Sequence, residues 1–134
     1  MSLKWSTAMA TGVRQIDLQH QELIEIINGL EAAHVAGETG RAVAEILPKL
    51  AAYVMFHFGT EEAMMASLEH DGGHVAAHMN EHREFAERMK QLAGRPLAAD
   101  ELPGLVTYLN GWLVGHIMHT DRELGALVSR HADP

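Results

Sequence analysis

Apolar residues recur in this chain at steps of three and four through four successive segments, and each stripe they draw also carries histidine or an acid. Such steps trace one face of a helix, so each segment must bury that face and takes polar groups into the core with it. The first segment, about 17–36, aligns His20, Leu23, Ile27, Leu30 and His34, with Asp17 placed as an N-cap. The second, 41–67, reads Val43, Leu47, Leu50, Val54, His57, Glu61 and Met65 along its stripe. Pro48 within it predicts a kink or the true first turn, because proline lacks a backbone donor and crowds the preceding turn. The third, 74–93, follows Asp71-Gly72-Gly73, puts His78, His82, Phe85, Met89 and Leu92 on one face, and stops at Gly94-Arg95-Pro96. The fourth, 100–131, opens with Asp100 as N-cap and Pro103 in its first turn, then carries Leu105, Leu109, Trp112, His116, Leu124 and Leu127.

A competing local pattern runs from Val106 to Val114, where Asn110-Gly111 resembles a hairpin turn. No other strand-like stretch exists to complete a sheet, and an isolated hairpin is marginal in water. The expected fold class is therefore all-α: an antiparallel up-down-up-down four-helix bundle, with residues 1–134 forming a single domain. Gly29, Gly111 and Gly115 fall inside helical patterns, where glycine costs about 1 kcal/mol relative to alanine, and are expected to permit close helix approach.

Composition removes several functions. Ten Lys and Arg against eighteen Asp and Glu give a formal charge of −8, which argues against a nucleic-acid backbone or an anionic membrane as partner. With no cysteine there is no disulfide framework, iron–sulfur cluster or thiolate zinc site. No apolar run matches a membrane helix and no signal peptide is visible, so the expected location is the cytoplasm.

Ten histidines against three lysines are what remains to be explained. Imidazoles and carboxylates on core-facing stripes need something inside to compensate their desolvation, and a metal would do so. His57 and Glu61 stand four residues apart, one turn along the same face, and His78 and His82 repeat that spacing. The first segment adds His20, the fourth His116 and Asp121. Five steps of about 100° leave Asp121 about 140° around an ideal helix from His116, so Asp121 reaches in from the flank or the helix carries a π-bulge. Five imidazoles and two carboxylates suit iron, zinc, copper or nickel better than magnesium or calcium, and two carboxylates are enough to bridge two ions. His34, His70, His119 and His131 lie near segment ends or off these stripes and are read as structural, and the methionines as core filler.

The order His20, His57-x-x-x-Glu61, His78-x-x-x-His82, His116-x-x-x-x-Asp121 resembles the hemerythrin family in its single-domain bacterial form, over nearly the whole chain. The words around it agree: Trp5, the run from Ile16 to Leu23, His57-Phe58-Gly59-Thr60-Glu61-Glu62 with Met65, and the run from Trp112 to Ile117. The resemblance implies a non-haem di-iron site that binds dioxygen reversibly, with Glu61, Asp121 and an oxo or hydroxo ion bridging two iron ions. It gives His78, His82 and His116 to one iron and His20 and His57 to the other, whose open position takes dioxygen. Leu23, Trp112, Leu113 and Ile117 match the family's oxygen-pocket positions. His74, His78 and His82 are spaced by four, but Phe85 follows His82 by three as in the family word, which selects His78 and His82 and leaves His74 one turn away, binding nothing directly. The departure lies between Glu61 and His78, where the family's shorter Gly-Tyr-Pro connection is replaced by the run from Ser67 to His74.

Function follows from this resemblance. The expected role is oxygen storage, delivery or scavenging rather than catalysis, in a monomer or weak oligomer serving an oxygen-consuming or signalling partner. The alternatives are an oxygen- or redox-sensing module and a peroxide- or iron-handling protein using the same site.

Overall fold

The computed structural model describes residues 3–93 and 97–132, with backbone alone at 93, 99, 131 and 132. The expected Gly94-Arg95-Pro96 break lies outside the described residues. Four helical rods are present and no strand is found among the described residues, so the Val106 to Val114 stretch is helix and not hairpin. The rods form the antiparallel all-α bundle that the apolar stripes require.

Rod α1 is Arg14–Val35. It starts ahead of Asp17, which is therefore not its cap. Asp17 lies in the first turn and its Oδ1 accepts hydrogen bonds from the Thr11 backbone N–H (2.8 Å) and hydroxyl (2.9 Å). An acid there also faces the positive end of the helix dipole. Rod α2 begins with a turn at Thr39–Arg41, widens into a π-helix at Ala42–Ile46 and continues as α-helix Leu47–Met65. Pro48 stands in the first turn of that α-helical section, directly after the wide turn, so its missing N–H and the crowding by its ring fall where the helix is already widened.

Rod α3 is His74–Ala93. The chain reverses into it through Gly72 and Gly73 at φ 60° and 87°, conformations a side chain would strain. Asp71 closes its first turn, its carbonyl accepting from His74 N–H (2.9 Å) and its carboxylate from Val75 N–H (2.8 Å). Rod α4 is composite: Leu102–Gly115, a π-helix at His116–Asp121, and Arg122–Ala132. Asp100 sits in a 3-10 turn, Ala99–Glu101, that precedes the rod, so Glu101 and not Asp100 holds the N-cap position; Pro103 is in the first turn as its type dictates.

The core is two apolar clusters with a polar layer between them. Leu23, Leu30, Leu50, Leu109, Phe85 and Ile117 belong to the larger, and Ile16, Met65 and Leu124 form the smaller. His20 lies between Ile16 and Leu23 on α1, and Glu61 between Phe58 and Met65 on α2, so the same stripe that packs each rod also delivers its polar residues to one level.

The glycine expectation is overturned. A Cβ on Gly29, Gly111 or Gly115 would meet nothing within 4 Å, so none of them is needed for close approach. Gly125 is: a Cβ there would collide with the Thr11 carbonyl, because the N-terminal arm crosses α4 at that point.

Candidate metal centre

The seven residues singled out by spacing converge in the polar layer, one or two from each rod, and none is more than 3% exposed. Two groups of donors share Glu61. Glu61, His78, His82 and His116 form one, His20, His57, Glu61 and Asp121 the other, and within each the donor atoms lie within 4.8 Å of one another. Glu61 Oε1 is 3.3 Å from His57 Nε2, 3.1 Å from His82 Nε2 and 3.5 Å from His78 Nε2. Asp121 faces both groups as well: Oδ2 is 2.7 Å from His20 Nε2, while Oδ1 is 2.9 Å from His116 Nε2 and 3.1 Å from His78 Nε2. The π-helix at His116–Asp121 makes this reachable, because its extra residue per turn rotates Asp121 back toward the face His116 occupies.

These close distances are not a satisfied hydrogen-bond network. Among the described residues, all but two of the buried side-chain nitrogens and oxygens without a hydrogen-bond partner belong to this cluster; Trp5 Nε1 and Asn110 Oδ1 are the exceptions. Nε2 of His20, His57, His78 and His116, Glu61 Oε2 and both Asp121 oxygens are all orphaned. Buried polar groups are normally paired, and this many aimed at one space have the chemistry of metal ligands.

Three of the five imidazoles rest on an oxygen from behind. His57 Nδ1 is 2.6 Å from Gln19 Oε1, His82 Nδ1 is 3.0 Å from Glu62 Oε2, and His116 Nδ1 is 2.9 Å from Glu81 Oε1. Each acceptor takes the Nδ1 hydrogen and so leaves the inward Nε2 lone pair free to bind a metal. Glu81 also accepts from the Thr120 hydroxyl at 2.7 Å, tying α3 to the π-helix. Phe58 stacks on His82 with ring centres 3.7 Å apart, and Trp112 on His116 at 4.5 Å. Gln19, Glu62 and Glu81 were not singled out by spacing. Each is next in sequence to a ligand candidate, and that adjacency was the available signal.

With no metal bound, charge in the layer is shared between acids and imidazoles. Burial works against ionisation of Glu61, but the imidazoles of His116, His78 and His82 that face it outweigh burial and hold the carboxyl at about 2. Burial likewise opposes ionisation of Asp121, and contacts with His116, His20 and His78 hold it well below the usual carboxylate range. His116 is raised to about 10 despite burial, through Asp121 and Glu61, and His78 is raised in the same way. His57 goes the other way, to about 4, because burial dominates.

A small apolar cavity of about 10 Å³, the least that admits one water-sized molecule, abuts the layer on the side of His57 and His116. Leu23, Leu109, Trp112 and Leu113 are among its walls. Ile117 is fully buried but does not line it. Of the histidines read as structural, His34 contacts Thr39 Oγ1 at 2.9 Å, His70 and His119 are exposed, and the His131 side chain lies outside the described residues.

Fold and site together define an all-helical domain with a buried cluster that could hold metal. The family model for the hemerythrin HHE cation binding domain matches residues 11–128, and the chain belongs to the hemerythrin family. A bacteriohemerythrin of Pseudomonas aeruginosa is 35% identical over 125 residues, 89% of this chain and 76% of that protein. A bacteriohemerythrin of Stenotrophomonas maltophilia is 31% identical over 130 residues, 96% and 83% of the two chains. A crystal structure of a leucine-to-phenylalanine mutant superposes with a TM-score of 0.76 at 27% identity, covering 96% of this chain and 99% of that one.

Proposed function

We propose that this chain binds dioxygen reversibly at a di-iron centre held by His20, His57, Glu61, His78, His82, His116 and Asp121. The observation that carries it is the asymmetry of the cluster. Three imidazoles, from His78, His82 and His116, stand on one side of the two carboxylates and two, from His20 and His57, on the other. Glu61 and Asp121 face both sets, so His78, His82 and His116 would hold one ion with more donors than His20 and His57 would give the other, and dioxygen would find room on the side with fewer. When bound, the iron pair supplies the electrons that dioxygen takes up and returns.

The chain's own residues favour carrying over catalysis. Neutral nitrogen donors outnumber carboxylates, which stabilises high oxidation states less than a carboxylate-rich bundle site does. Leu23, Leu113 and Trp112 wall the cavity with apolar surface beside His57, limiting access of water and anions. The role this supports is oxygen storage, delivery or scavenging in a bacterial cytoplasm. Metal analysis after anaerobic loading with ferrous iron, followed by oxygen titration, tests it: two irons and one dioxygen per chain are expected, and a single zinc with no oxygen uptake would refute it.

A further inference from the structure

His74 lies one turn from the cluster, as its spacing suggests, but it is not idle there. It is the first residue of α3, yet it is 5% exposed and both ring nitrogens are engaged. Nδ1 is 2.7 Å from Oε1 of Glu123, a residue of α4 whose side chain is 64% exposed. Nε2 is 2.9 Å from His78 Nδ1, and the two rings meet edge to face at 4.9 Å. The turn that differs from the family pattern puts it there: Gly72 and Gly73 reverse the chain, and Asp71 closes the helix onto His74 and Val75.

Hydrogen-bond chemistry gives this contact one direction. The Glu123 carboxylate can only accept, so His74 Nδ1 carries a hydrogen and donates it, leaving His74 Nε2 with a lone pair. That lone pair accepts from His78 Nδ1–H, and His78 Nε2 is then free to face the cluster, where it lies 3.1 Å from Asp121. The other three braced imidazoles rest directly on an amide or carboxylate oxygen, whereas His78 rests on a second imidazole that carries the influence of a surface carboxylate inward.

Resting on the di-iron reading above, we infer that Glu123 and His74 form a positioning arm that fixes the tautomer and ring orientation of His78 and so controls retention of the iron on the three-imidazole side. His74 is not a ligand. Its loss leaves His78 with a buried donor and no acceptor, and loss of such an outer partner typically weakens metal binding by about 10- to 100-fold.

The test uses the full chain loaded anaerobically with ferrous iron and measures the rates at which a chelator removes each ion. In His74→Leu, one iron of the two should leave about tenfold faster or more while the other keeps its wild-type rate. His74→Gln, whose amide oxygen can accept from His78 Nδ1–H, should restore most of the retention. Glu123→Gln, at an exposed position, should fall between wild type and His74→Leu, and it carries the test should the leucine variant not fold. Wild-type release rates in both His74→Leu and Glu123→Gln would overturn the arm, as would equal acceleration of both irons in all three variants, which is the mark of general loosening. Wild-type protein that fails to take up two irons would overturn the di-iron reading, and the arm with it.

Discussion

His116 and Asp121 are five residues apart on one helix, yet Nε2 of the first lies 2.9 Å from Oδ1 of the second. An undistorted α-helix would hold them on different faces, and the π-helix at His116–Asp121 is what reconciles them. A distorted turn, two acids and five imidazoles in a core are each unfavourable without something to compensate them. Metal binding should therefore raise the melting temperature markedly, since the free energy of binding adds to that of folding. Thermal unfolding of metal-free and iron-loaded protein checks this, and equal midpoints would contradict the placement of these side chains.

The metal-free protein should also be most stable near neutrality. Glu61 is depressed to about 2 and Asp121 well below its ordinary value, so their stabilising contribution is complete above about pH 4.5 and is lost as the pH falls below it. His57, depressed to about 4, must stay neutral in the fold, so stability is also lost as the pH drops from 6.5 toward 4. His116 is raised to about 10, and its contribution is full below pH 6.5 and lost as the pH climbs through 10. Denaturant midpoints across pH should peak at about 6 to 7. Because His116 and His78 must give up protons to bind a metal, loading at neutral pH should release acid that a pH-stat detects.

Two glycines should respond in opposite directions to alanine. Gly125→Ala forces a methyl against the Thr11 backbone and should cost about 1–3 kcal/mol. Gly29→Ala meets nothing within 4 Å inside α1 and should stabilise by up to about 1 kcal/mol. Urea unfolding of the two variants measures both; a Gly125→Ala variant as stable as wild type would contradict the close approach of Thr11 to α4, and a destabilised Gly29→Ala would contradict the open space at that position.

The sequence made the bundle and the meeting of its donors legible for a simple reason: a step of three or four fixes a face whatever lies opposite, so Leu23 and Glu61 could be assigned inward without a partner in view. The wide turn at His116–Asp121 was half legible: a spacing of five called for either a reach from the flank or a π-bulge, and the structure has the π-helix. What stayed hidden depends on contacts between distant segments. Gly125 matters only because Thr11 crosses it, and Asp17 serves Thr11 instead of capping because the helix begins earlier than its first apolar step. His74 was legible only as a residue one turn from the site, because the carboxylate that meets its Nδ1 comes from Glu123 on another rod.

Leu113→Ala should separate packing from shielding. Leu113 is 6% exposed and walls the cavity beside His57. Truncation should cost roughly 2–5 kcal/mol as any buried leucine does. If the wall also keeps water and anions from the open iron position, the oxygenated form should in addition bleach to the oxidised form faster, with iron content unchanged. Normal bleaching with the stability loss alone would show that Leu113 only packs.

The central claim is that the cluster holds two irons which take up and return dioxygen. The most direct measurement is a visible absorption spectrum of the ferrous-loaded protein, recorded under nitrogen, after exposure to air and after return to nitrogen. The account predicts a colourless sample that becomes coloured on aeration and loses that colour when oxygen is removed, over repeated cycles. A spectrum that never changes, or one that changes once and does not return, would contradict it.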